Sequence, residues 1–223
     1  MADVEELAEA IRVDDLGAVD RLLAADPRLA SGRDRDGLTP VILARYWSKT
    51  DAFGRLLAVR GDDLDDFEAT LAGRADLVGA HLARDPELAG AWTQDGYTAL
   101  HYAAFFGGAD AAVALIAAGA DLEAVSRNGM GVRPLNSAAA GGHGDVSRLL
   151  VERGADVNAA QAQEFTPLHA AAQNGDADLV AVLLAAGADK DARLEDGRAA
   201  ADVALEAGHE ALAERLGGPS LGA

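Results

Sequence analysis

Apolar residues along this chain fall into short helical runs separated by glycine-marked turns. In "ALHYAAFF", from Ala99, the apolar positions Leu100, Ala103 and Ala104 lie on one helical stripe. Thr98 and Thr166 stand just before such runs, where a side-chain oxygen caps orphan amides, and Pro167 suits a first helical turn. Gly119, Gly154 and Gly187 each follow an apolar run, where a left-handed C-cap needs no Cβ. The spacing therefore predicts pairs of short helices. A pair of this size cannot bury its own apolar face, so neighbours must stack into an all-α solenoid.

The pattern recurs. "DGYTALHYAAFFGGADAAVALIAAGADLEA" begins at Asp95 and "QEFTPLHAAAQNGDADLVAVLLAAGADKDA" at Gln163, and Thr166 follows Thr98 by 68 residues, twice 34. Related stretches begin at Asp36, Gly131 and Asp196, and "DPRLASGRDRDGLT" at Asp26 is echoed by "DPELAGAWTQDGYT" at Asp85. These residues resemble the ankyrin repeat, whose signature is T-P-L-H-x-A-A, a Gly-His turn, a leucine-rich second helix and G-A-D-V-N. The resemblance covers nearly the whole chain in six or seven units. It implies one domain over 1–216, an α-solenoid of helix-turn-helix units with short β-hairpin or finger loops. Residues 217–223 read as a frayed tail.

Three departures stand out. The 59 residues from Asp36 to Asp95 must hold two units, so the unit near 60–75 is shortened, with Asp65 or Asp66 expected to cap its first helix. Ser126 and Arg127 read as an insertion before Asn128. The units at both ends are degenerate, as capping repeats should be.

Composition narrows the function. The formal net charge of −18 repels phosphate, which argues against nucleic acid and anionic membranes as partners. With no cysteine, thiolate chemistry and Cys-ligated zinc are excluded. The acidic N-terminus is wrong for a secretion signal, and the longest weakly charged run, Ala111 to Ala120, is too short to span a bilayer. These points favour a cytoplasmic protein. Lysine occurs only at Lys49 and Lys190, a bias towards arginine that suits a GC-rich bacterial genome.

Nothing in the chain makes a catalytic set. His101 and His169 fill the last T-P-L-H slot, His143 and His209 follow turn glycines, and His81 takes a position held elsewhere by leucine, where a buried, hydrogen-bonded ring is expected. "GDDLDDFE", from Gly61, lacks the spacing of a calcium loop, and "GGHG", from Gly141, lacks the lysine and context of a phosphate loop. The reading is a non-enzyme with neither cofactor nor metal.

Two large adjacent rings, Phe105 and Phe106, do not fit one buried stripe, because neighbours on a helix diverge by about 100°. The ankyrin resemblance implies an answer. In that family the two positions after the Ala-Ala of each first helix face a concave groove and choose partners. Those slots here hold Arg12 and Val13, Tyr46 and Trp47, Leu71 and Ala72, Phe105 and Phe106, Ala140 and Gly141, Gln173 and Asn174, then Glu206 and Ala207. Helix spacing sets the two aromatic pairs about 20 Å apart, with Leu71 and Ala72 as the floor between them and a second hollow at Ala140 and Gly141. Trp92, Tyr97, Met130 and Phe165 lie on the turns that the family projects over the groove.

The resulting expectation is a protein–protein interaction module. An apolar or amphipathic segment of another protein would enter the groove, and the acidic rims suit basic flanks. A second reading is a hydrophobic small molecule walled by Tyr46, Trp47, Tyr97, Phe105 and Phe106. Asp95 or His101 would then serve as its polar handle and Asp62 to Glu68 as its lid. A third is a passive scaffold, in which the rings only pack.

Overall fold

The computed structural model describes residues 3–217. Of the segment read as a tail, 218–223 lie outside the described residues. Among the described residues, fourteen α-helices follow one another as seven pairs: α1 (Val4–Arg12) with α2 (Leu16–Ala25), α3 (Pro40–Tyr46) with α4 (Thr50–Arg60), α5 (Asp66–Leu71) with α6 (Ala75–Arg84), α7 (Ala99–Phe106) with α8 (Ala109–Ala117), α9 (Pro134–Gly141) with α10 (Gly144–Glu152), α11 (Pro167–Gln173) with α12 (Ala177–Ala185), and α13 (Ala200–Glu206) with α14 (Glu210–Arg215). The first helices pack in a row from α1 to α13, and the second helices form the other layer.

Local chemistry sets the ends of these helices. Thr98 accepts from the amide of His101 while His101 Nδ1 accepts from the amide of Thr98, so one pair of side chains satisfies two orphan donors. Thr166 and His169 repeat the device. Gly119, Gly154 and Gly187 have φ of 92°, 90° and 94°, the left-handed stop the spacing required. The finger loops are simpler than hairpins. Trp92 with Thr98, Gln161 with Phe165 and Arg193 with Ala199 form isolated antiparallel bridges and no strand among the described residues.

The core is built from alanine and leucine, and small residues bring helices close. Gly141 shows how close: a Cβ there would collide with the carbonyl of Phe105. The second hollow expected at Ala140 and Gly141 is therefore half absent, because the backbones of α7 and α9 fill the space at Gly141.

The shortened unit creates a joint. Five residues, Gly61 to Asp65, link α4 to α5, whereas the connection from α6 to α7 runs from Asp85 to Thr98 and carries a finger. Asp65, not Asp66, caps α5, in a reciprocal arrangement with Glu68. The second-helix layer is thin between α4 and α6, as it also is between α12 and α14. Buried apolar residues divide accordingly, with one cluster under α1 to α4 and a larger one from Leu64 to Leu216. A third cluster, including Leu38, Ile42, Leu71 and Tyr102, bridges the two from the first-helix side.

Asp66 is an anomaly at this joint. It is 5% exposed, and among the described residues neither carboxylate oxygen has a hydrogen-bond partner. His81 is half-buried without a hydrogen bond of the kind expected for it; its Nδ1 lies 3.9 Å from Asp66 Oδ1. Burial, then repulsion from Asp65, pushes the Asp66 carboxyl up from 3.8 to about 6. A carboxyl raised on folding favours the folded state most below its unfolded pKa. That advantage is lost as pH rises through about 6. Asp66→Asn should therefore match the parent near pH 4 and exceed its stability by about 1–3 kcal/mol near pH 7.5. Urea melts at the two pH values check this, and a difference independent of pH would contradict it.

Candidate functional site: an aromatic cavity on the first-helix face

Three fingers and three first helices build the site. The turn after Trp92 presents Asp95 and Tyr97, α7 presents Tyr102, Phe105 and Phe106, and α3 contributes Tyr46 from the far side of the short α5. The next finger adds Asn128, Met130 and Val132, and α9 adds Asn136, Ser137 and Ala140. With His101 and Gln161, these residues line a cavity of about 710 Å³.

At its base, Asp95 gathers three hydroxyls. Tyr46 and Thr93 donate to its two oxygens, and Tyr102 donates at 3.0 Å. The Tyr46 and Tyr102 oxygens lie 3.1 Å apart. Burial is the largest cause holding both phenols well above their ordinary pKa, so they stay protonated and donating. His101 is held neutral by burial, with Nε2 3.0 Å from the carbonyl of Val132. Tyr102, only 2% exposed, touches four rings, with centroids 5.9 Å from Tyr46, 6.0 Å from Phe67, and 6.3 Å from both Tyr97 and Phe106. Above this cluster, Phe105 and Met130 form an apolar lip, 45% and 46% exposed.

The adjacent phenylalanines divide their work. Phe105 faces solvent, while Phe106 is half-buried and packs on Tyr46 with centroids 6.0 Å apart. The expected gap of about 20 Å between the aromatic pairs does not exist. No finger precedes α5, and the two large rings pack together on the cluster that buries Leu71. Leu71 is buried in the bridging cluster and lines nothing. Trp47 ends α3 and packs into the seam between the N-terminal and bridging clusters, outside the cavity lining.

The remaining predicted residues scatter. Trp92 is half-buried beneath the Arg127 guanidinium, 3.9 Å from the ring centroid, which gives the inserted pair its role. Ser126 completes that fingertip by donating to Asn128 Oδ1 at 2.9 Å. Phe165 packs on the main core beside His169. Gln173 and Asn174 are exposed, and Asn174 Nδ2 donates to the carbonyl of Ala139 at 2.9 Å, tying α11 to α9. Tyr46, Tyr97, Phe105, Phe106 and Met130 thus come together at the cavity, whereas Trp47, Leu71, Trp92, Phe165, Gln173 and Asn174 do not. Tyr102 was missed, although it stands where the aligned unit has Ala170, and a ring in an alanine slot is a readable signal.

The comparisons with known proteins agree with the architecture. The family model described as ankyrin repeats (three copies) matches residues 67–161 and 135–220. The Neurogenic locus Notch protein of Drosophila melanogaster is 37% identical over 127 residues, which cover 55% of this chain and 4% of that protein's length. The N-terminal pairs α1 to α4 precede the matched region yet continue the same stack. No helix among the described residues is long and apolar enough to cross a membrane. Matched over more than half its length, this chain belongs to the ankyrin-repeat family.

Proposed function

We propose that the chain is a protein–protein interaction module, without catalytic activity, whose first-helix face receives an apolar or amphipathic segment of a partner protein. The observation that carries this is the cavity of about 710 Å³ with five aromatic side chains in its lining and an exposed phenylalanine and methionine at its lip. Burying such side chains against a partner is worth roughly 1.5–3 kcal/mol each, and a contiguous apolar patch on a soluble chain marks an interaction surface. Ankyrin repeats as a family mediate protein–protein contact, which favours a polypeptide over a small molecule. The small-molecule reading also loses its lid, because Asp62 to Glu68 contributes nothing to the lining.

Peptides selected by display against the native protein supply the test. Phe105→Asp should weaken the best of them at least tenfold, about 1.4 kcal/mol or more, with an unchanged melting curve. Val113→Asp, at an exposed position on α8, should change nothing. Trp47→Asp is the wrong probe, since that ring holds the stack together. Equal binding by the Phe105 variant would sink the groove assignment.

A further inference from the structure

The cavity has a charge preference as well as an apolar one. Among the described residues, Asp95 carries the one acidic side chain in the lining and no lysine or arginine lines it, and burial lowers the pKa of His101. Among the described residues no basic side chain pairs with Asp95. Its partners are hydroxyls, which satisfy its lone pairs without cancelling its charge. Around it stand the rings of Tyr46, Tyr97, Tyr102, Phe105 and Phe106, whose faces are negative. From outside the lining the chain already places cations on aromatic rings: Arg45 lies 4.9 Å from the centroid of Phe106, itself a lining ring, and Arg127 covers Trp92. A neutral apolar anchor would leave the carboxylate desolvated and uncompensated, and an anionic one would be repelled.

We propose that the cavity receives an alkylammonium group, the end of a lysine side chain on the partner segment, with its stem against Tyr97 and Phe105 and its charge towards Asp95. This rests on the groove being a polypeptide site. The cavity is larger than one side chain needs, so an apolar neighbour of that lysine would sit on the lip formed by Phe105 and Met130. The net charge of −18 draws such a segment in from a distance, and added salt weakens that pull.

Choline and its neutral isostere 3,3-dimethylbutan-1-ol test the idea by NMR titration of the full chain, read at the Met130 methyl and the Tyr97 and Phe105 rings. Choline is expected to shift these signals with an apparent affinity at least about fivefold above that of the isostere. Asp95→Asn, which keeps an acceptor for the hydroxyls, should erase the difference. The comparison of the two probes on the native chain stands even if that variant fails to fold. Equal or tighter binding of the isostere at the same residues would overturn the cation assignment and leave the apolar groove intact. No shift from either probe at tens of millimolar would overturn both.

Discussion

Arg60→Ala should lower the stability of the joint between α4 and α5 by about 3–5 kcal/mol, the usual cost of stranding one partner of a buried ion pair. Arg60 meets Glu68 at 2.7 Å, and the Glu68 side chain is fully buried. The same Glu68 oxygen accepts from the amide of Asp65, so it also caps α5. Burial is the largest cause raising the Glu68 pKa, and Arg60 opposes it. Without Arg60 the carboxyl must either stay charged and unpaired or take up a proton. Because the second-helix layer is thin here, the loss falls on the contact between α1–α4 and the rest of the stack. In a stack stabilised by nearest-neighbour contacts, that uncouples the two parts. The two tryptophans report on opposite sides, Trp47 on α3 and Trp92 in the finger before α7. Urea unfolding of single-tryptophan variants should give coincident transitions in the parent and an earlier Trp47 transition after Arg60→Ala. A stability loss under 1 kcal/mol with coincident curves would contradict this.

Tyr102→Ala carries an expected cost of similar size, about 3–5 kcal/mol, because it removes a buried ring around which four others are arranged. It also deletes a hydroxyl donor from Asp95. Tyr102→Phe separates the two effects. That variant keeps the ring and should cost only about 0.5–1.5 kcal/mol for the lost hydrogen bond. The alanine variant should also lose peptide binding, since Tyr46, Tyr97 and Phe106 no longer have a common support, whereas the phenylalanine variant should retain most of it. Chemical denaturation and peptide titration of the two variants read both quantities. Equal stability losses would mean that the ring is not what organises the cluster.

Much of this was legible in the sequence because the repeat ties each residue type to one local task. Threonine before a helix, glycine after it and leucine along its inner stripe act within a few residues, and spacing captures such effects. The groove column depended on a weaker assumption, that every unit is a copy of its neighbour. It fails where the chain is irregular. Without a finger before α5, Tyr46 and Phe106 meet, Trp47 turns into the seam, and Leu71 is covered by the rings it was expected to separate. Asp95 and His101 were legible as polar groups beside these rings, and both line the cavity, but the hydroxyls that gather on Asp95 were not. Its donors, Thr93, Tyr102 and Tyr46, come from a finger and two helices that only the stack brings together.

A photoreactive benzoylphenylalanine placed at Met130, on the lip of the cavity, should crosslink a display-selected peptide efficiently, and the same group at Val113 on α8 should not. Crosslinking at Val113 that equals or exceeds that at Met130 would contradict recognition through the aromatic cavity.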